Sequence, residues 1–236
     1  MITKFESLKN SVASLFYLFF PQLCYSCEKN SIFNKEIFCV SCQYHLPESD
    51  YHHYDENNFT RRFWGRVNIK SGAALYLFRK GGSVQHIIHQ FKYNGKTEIG
   101  LKLGEYYGGL LSKSTRFNTI DAIIPVPLHP KKQMWRGYNQ SEIFAQGLSQ
   151  SMNKPVLNVL ERRVFTDTQT KKETLERHEN MEEIFQIKKN SLKQYHKHIL
   201  LVDDVMTTGA TLESCARVLI ENGYEVSLAT MAIAIS

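Results

Sequence analysis

Apolar residues along the later part of the chain follow two alternating periods. Ala73 to Phe78, Ile120 to Val126 and Ile199 to Val202 are short apolar runs that predict buried strands, and the β-rich run Glu225 to Ile235 predicts a closing one. Between them, Val84, Ile87, Ile88 and Phe91 stand at i, i+3, i+4 and i+7. Ile99, Leu103, Tyr106, Tyr107 and Leu110 form a second stripe, so two helices are predicted there. Ser141 to Leu148 predicts a further helix with Ser141 as its N-cap, and Leu212, Cys215, Ala216 and Leu219 predict another that stops near Gly223. Strand and helix in alternation predict an α/β domain over residues 67–236, with a mostly parallel twisted sheet and flanking helices.

Ahead of that domain the pattern changes twice. Within residues 1–20, Phe5, Leu8, Val12, Leu15, Phe16 and Phe19 fall near helical spacing and Pro21 ends the run. This predicts an amphipathic helix that packs on the body or on a partner. Lys4 and Lys9 ahead of Val12 to Phe20 resemble a signal-peptide core, but no small-x-small site follows and the run is too short to cross a bilayer. No transmembrane segment is predicted. The chain is expected to be cytoplasmic, reaching a membrane, if at all, through partners. Residues 21–47 hold two cysteine pairs. Residues 48–66 are polar and aromatic and read as a linker.

Composition sets the bounds. The 236 residues are 42% hydrophobic and 22% charged, which suits a domain with a core and excludes wholesale disorder. A net charge of +6 favours anionic partners such as nucleotides, pyrophosphate or nucleic acid, or else describes an ordinary basic surface. Five cysteines, four of them in two close pairs, do not make a secreted disulfide framework.

The pairs Cys24-x-x-Cys27 and Cys39-x-x-Cys42 have the spacing that lets four thiolates reach one tetrahedral Zn²⁺. Four sulfurs close the coordination shell, so the expected role is structural. A redox pair is the competing reading. Cys215 lies on an apolar helix stripe and reads as core. Aromatic and basic residues follow the cysteines: Tyr44, His52, His53, Phe59, Arg61, Arg62, Phe63, Trp64 and Arg66. They suit base stacking on single-stranded DNA, or packing of the linker onto the domain.

The most informative segment is Leu200 to Thr211. An apolar strand ends in Asp203-Asp204, and Val205, Met206, Thr207, Thr208, Gly209, Ala210 and Thr211 lead into a helix. Ligands of α/β sheets bind beyond the carboxyl ends of strands, and a helix N-terminus attracts phosphate. The threonines add hydroxyls, Gly209 permits close approach of backbone to anion, and ionised carboxylates accept from sugar hydroxyls.

This segment resembles the phosphoribosyl pyrophosphate (PRPP) motif of type I phosphoribosyltransferases. The resemblance implies that Asp203 and Asp204 bind the ribose hydroxyls at the catalytic centre. It implies that residues 205–211 cradle the 5-phosphate, and that Mg²⁺ accompanies the pyrophosphate. Thr207 stands where purine-salvage members often carry Asp, which argues against a hypoxanthine-guanine type. Three more segments narrow the resemblance. Pro125-Val126-Pro127 with Leu128, His129, Lys131, Lys132, Arg136, Gly137 and Asn139 corresponds to the pyrophosphate loop. Gln169, Arg177 and Asn180, in a charged stretch with Lys172 where an apolar residue is expected, correspond to a mobile flap. Phe91-Lys92-Tyr93-Asn94-Gly95 lies ahead of the sheet. Together with the cysteine pairs, these resemble the ComF family of ComFC-type competence proteins. The family implies a role in natural competence, with competence-machinery proteins as partners. Two functions from different classes follow: PRPP-dependent transfer of phosphoribose to an unknown acceptor, or non-catalytic handling of single-stranded DNA through the zinc module.

Overall fold

The computed structural model describes residues 21–32, 36–162, 185–188 and 197–235. The helix expected over residues 1–20, and Gln169, Lys172, Arg177 and Asn180, lie outside them. In chain order the elements are α1 (Val40–His45), β1 (Ser71–Phe78), α2 (Ser83–Tyr93), α3 (Thr97–Lys113), β2 (Ala122–Pro125), α4 (Pro130–Arg136), α5 (Gln140–Met152), β3 (Leu160–Arg162), β4 (Phe185–Ile187), β5 (His198–Met206), α6 (Ala210–Glu221) and β6 (Glu225–Ala234).

The apolar runs pair as a four-stranded parallel sheet in the order β1-β6-β5-β2. Both faces are covered, which is why its strands lack a polar side. On one face, Val84, Ile87 and Phe91 of α2, Ile99, Leu103 and Tyr107 of α3, and Phe144 and Leu148 of α5 pack over Ala73, Leu75, Leu200, Val202 and Ala229. On the other, Leu212, Cys215, Ala216 and Leu219 of α6 pack over Ala122, Ile124, Leu201 and Leu228. The short strands β3 and β4 form a separate antiparallel pair.

Both outer strands are capped, so neither offers a free edge over its middle. Leu77 N–H donates to Pro47 O at 2.8 Å and Ser49 N–H to Leu75 O at 3.0 Å along β1. Beyond β2, Ile123 N–H donates to Pro155 O and Leu157 N–H to Ile123 O, each at 2.9 Å.

Residues 48–66 are built into the fold. Phe59 and Phe63 are fully buried beside α6. Burial of a Phe side chain contributes on the order of 1.5–3 kcal/mol. Asn57 pins the turn: its amide donates to Tyr51 O, Tyr54 O and Gly72 O, and its carbonyl accepts from Phe59 and Thr60 N–H. Of the two readings of this aromatic segment, packing holds for Phe59 and Phe63, while Trp64 stays 57% exposed.

One correction concerns the start of α5. Its N-cap is Asn139, whose Oδ1 accepts from Ser141 N–H at 3.1 Å. The capping position therefore falls two residues earlier than expected, and Ser141 is free for another task. A second concerns β5, which runs on through the acid pair to Met206.

Glycines set the distance between α3 and α5. A Cβ at Gly147 would lie 2.8 Å from Gly104 Cα and 2.8 Å from Glu105 N, against the backbone of the opposing helix. Backbone cannot yield as a side chain can. Gly147→Ala should therefore lower stability by about 1–3 kcal/mol, the usual effect of overpacking. An unchanged urea midpoint would contradict this account of the crossing.

Candidate active site at the carboxyl end of the sheet

Parallel pairing of β2 with β5, Pro125 beside Val202, places the carboxyl ends of both strands together. The segments that follow them therefore share one crevice, at the position where α/β sheets hold ligands. Along β5, Val202 and Val205 both pack toward the α2/α3/α5 layer, although they stand an odd three positions apart. Strict alternation thus breaks at Asp203-Asp204, and the break keeps both acids at this end of the strand.

Each acid has a defined partner. Asp203 Oδ1 accepts from Ser141 Oγ at 2.7 Å and from Asp204 N–H at 2.8 Å. Asp204 pairs with the ammonium of Lys92 at 2.9 Å. Burial, reinforced by the adjacent charge of Asp204, pushes the Asp203 carboxyl up to about 7. Lys92 and Ser141 belong to the site although the sequence reading gave neither a role there. The signal for Lys92 lay in the Phe91-to-Gly95 segment, and that for Ser141 in its place just after Asn139.

The turn after β5 presents backbone donors. Thr207 and Thr208 are exposed, and Gly209 precedes α6 with φ +84°, a left-handed conformation that favours glycine. Among the described residues, the N–H groups of Thr207, Thr208 and Gly209 donate to no protein acceptor. The carbonyls of the same turn are held from behind. Arg62 donates to Thr207 O and also to Ala234 O, and Arg66 donates to Thr208 O at 3.3 Å. Arg66 and Arg217 both pair with Glu213 in the first turn of α6. Carbonyls fixed on the arginine side leave the amides to the crevice, a concave set of donors at a helix start. Phe63 lies directly under Gly209: a Cβ there would meet its ring at 3.1 Å.

The segment between β2 and α5 is a short helix, α4, rather than an open loop. His129 caps it, with Nδ1 accepting from Lys131 N–H at 3.2 Å, and Leu128 precedes it half-buried. Lys131 and Lys132 are exposed, and Gly137 ends the helix at φ +82°. Arg136 donates to Gln140 Oε1 at 2.9 Å. Asn139 is buried: besides capping α5, its amide donates to Val126 O at 3.0 Å, so its side chain fixes the entry to α5. That entry sets Ser141 against Asp203.

The four N-terminal cysteines form one cluster, with all sulfurs within 4.8 Å of one another. Cys39 N–H donates to Cys24 Sγ at 3.3 Å, as does Ser26 N–H at 3.4 Å, and Asn30 Nδ2 donates to Cys39 Sγ at 3.3 Å. The Asn30 hydrogen bond, ahead of smaller contributions, pulls the Cys39 thiol down to about 6, while burial pushes Cys42 up to about 12. Four clustered sulfurs with amide donors directed at them fit a structural zinc ion. None of the described helices is long and apolar enough to cross a membrane.

A buried parallel sheet, an acid pair at the end of one central strand and an amide-rich turn opening the next helix define a phosphoribosyltransferase-type domain. Residues 139–234 match the family model described as "Phosphoribosyl transferase domain". With the four-cysteine module at its N-terminal side, the chain is similar to ComF-family, phosphoribosyltransferase-like proteins. It is 28% identical over 216 residues to Competence protein F of Haemophilus influenzae, covering 88% of this chain and 94% of that protein. It is 30% identical to Competence protein ComFC of Bacillus subtilis over 70% of this chain and 64% of that one. It is 32% identical to DNA utilization protein YhgH of Escherichia coli O157:H7 over 58% of this chain and 61% of that one.

The raised Asp203 carboxyl has a signed consequence. The folded chain keeps this proton up to about pH 7, whereas the unfolded chain releases it near pH 4. The folded state binds more protons in between, so this group lowers stability as pH rises through that window. Relative to wild type, Asp203→Asn should gain stability progressively from about pH 4 to pH 7 and then level off. A stability difference that does not change with pH would refute the assignment. For the cysteines, the freshly reduced protein should carry stoichiometric zinc. Cys39→Ser should lose it and melt at lower temperature, as metal analysis beside thermal unfolding would register.

Proposed function

We propose that the crevice binds PRPP or ribose 5-phosphate, and that the protein serves natural competence in the cytoplasm. One observation carries the reading: the three N–H groups of Thr207, Thr208 and Gly209, without protein acceptors among the described residues, lie beside Asp203 and Asp204. The amides suit the 5-phosphate, and the carboxylates accept from the ribose hydroxyls. Thr208 and Ala210 border the same turn, and Thr211 stands in the first turn of α6. Val205 and Met206 anchor it by packing into opposite core layers.

In this reading, Lys131, Lys132 and Arg136 supply positive charge on the pyrophosphate side. Mg²⁺ would arrive with the pyrophosphate and neutralise its developing charge, contributing Lewis-acid chemistry only. The chain's own residues orient the sugar through the acid pair and stabilise positive charge at C1 as pyrophosphate departs. The nucleophile that would take the phosphoribose is an unknown acceptor, and Gln169, Arg177 and Asn180 are proposed to serve the same site.

A second reading makes the protein a non-catalytic handler of single-stranded DNA, working with other competence proteins. The observation behind it is Trp64, 57% exposed with Arg61 at 5.8 Å from its ring, in a segment that also holds Arg62 and Arg66. An aromatic face flanked by cations suits base stacking along a phosphate backbone. Two of the relatives are named for competence and one for DNA utilization.

Calorimetric titration with PRPP and magnesium separates the two. The first reading expects saturable binding that falls at least about tenfold in Asp203→Asn/Asp204→Asn, since charge-assisted hydrogen bonds to both hydroxyls are lost. Pyrophosphate release with an acceptor panel would add turnover. PRPP affinity that survives the double change would reject the site. Single-strand binding that weakens steeply with salt and depends on Trp64 would favour the second reading.

A further inference from the structure

Three consecutive residues in the last turn of α2 make three separate ties. Gln90 donates to the carboxylate of Glu28 in the cysteine module, the carbonyl of Phe91 accepts from the Tyr138 hydroxyl at the approach to α5, and Lys92 pairs with Asp204 at 2.9 Å. Positions 90 and 92 stand about 200° apart around a helix, so the module and the acid pair hold this turn from opposite sides. Gln90 is buried, and its Oε1 accepts from the Asn94 amide just past the helix. The Lys92 side chain is 19% exposed. Neither is a solvated surface contact of the kind that contributes little.

The path begins at the cysteines. Glu28 directly follows Cys27, and its N–H donates to Cys24 O at 2.8 Å, across the turn that brings the first two thiols together. Its φ is +52°, a left-handed conformation that a non-glycine residue holds where its surroundings impose it. His86, one turn before Gln90, lies 3.5 Å from the same carboxylate. Tyr25, between the two cysteines, donates to Glu98 in the first turn of α3, with the Lys96 ammonium 5.5 Å from its ring. The module thus grips the chain on both sides of the turn that joins α2 to α3. Order among the thiols passes to Glu28, from Glu28 to Gln90, and through one helical turn to the lysine on Asp204.

We propose that Glu28 and Gln90 are positioning residues that couple the cysteine cluster to the acid pair. Metal held by the four thiolates fixes the Glu28 turn, and that turn seats Lys92 on Asp204. By linkage, the Lys92 to Asp204 pair strengthens metal binding by the same factor. The coupling does not depend on what the crevice binds; that it tunes sugar-phosphate affinity rests on the reading above.

Zinc affinity of the full chain, measured by competition with a chelating dye, tests the coupling without any sugar ligand. Asp204→Ala removes the carboxylate at the far end of the path. It should weaken zinc binding at least about fivefold, the lower range of coupling between linked sites. Gln90→Met keeps the length of the side chain and loses the tie to Glu28. In that background Asp204→Ala should change zinc affinity by less than about twofold, the additivity of independent sites. Glu28→Ala cuts the same tie from the module side and should give the same result, which covers the case of Gln90→Met failing to fold. Leu219→Ala, a core change under the opposite face of the sheet, lowers stability and should leave zinc affinity unchanged. Equal zinc affinity in wild type and Asp204→Ala, an equal drop with and without the Glu28 to Gln90 tie, or a comparable drop in Leu219→Ala overturns the proposal. A failure of PRPP to bind would remove the sugar-phosphate reading and leave this result as it stands.

Discussion

Two carboxyl groups on adjacent residues at the end of a buried strand cannot both be left unpartnered, and much of this molecule answers that constraint. Asp203 lies against the Ser141 hydroxyl and Asp204 against the Lys92 ammonium, at 2.7 and 2.9 Å. Each partner is delivered by a helix whose position is set elsewhere. Lys92 stands in the last turn of α2, whose apolar stripe seats it on the sheet. Ser141 opens α5, which Asn139 caps and which glycines bring within backbone distance of α3. Uncompensated burial of charge would cost far more than any one of these contacts contributes. The packing of two helices and the chemistry of the crevice are thus one problem.

The back of the phosphate turn shows the same economy. Arg62 and Arg66 engage the carbonyls of Thr207 and Thr208, and Phe63 fills the space beneath Gly209. All three come from a segment ahead of the sheet, held by Asn57 and by the pairing of residues 47–49 with β1. The cysteine module docks on the other helices: Tyr25 donates to Glu98 of α3, and Gln90 of α2 donates to Glu28. What precedes the domain in sequence therefore supports it in space.

Much of this was legible in the sequence. The apolar run Ile199 to Val202 and the β-rich run Glu225 to Ile235 announce strands covered on both faces, and the stripe from Val84 to Phe91 lies buried as its spacing requires. Four cysteines in two close pairs come together as one cluster. The turn from Thr207 to Gly209 was visible because strand, acids, hydroxyls and glycine occur in one stretch. Other features were hidden for physical reasons. Asn139 rather than Ser141 caps α5 because either side chain can cap, and only tertiary contacts choose between them. Lys92 and Asp204 stand far apart in the chain, and no local pattern signals a pair made by folding. Residues 48–66 looked like a linker because their polarity is high, yet Phe59 and Phe63 were enough to anchor them.

The central claim is that backbone amides and paired acids share one sugar-phosphate ligand. A crystal structure of the protein with PRPP and magnesium tests it most directly. The account requires the 5-phosphate against the N–H groups of Thr207, Thr208 and Gly209, with the ribose hydroxyls on Asp203 and Asp204. Phosphate density at any other place, with that turn facing solvent and the acids still closed on Ser141 and Lys92, would contradict it.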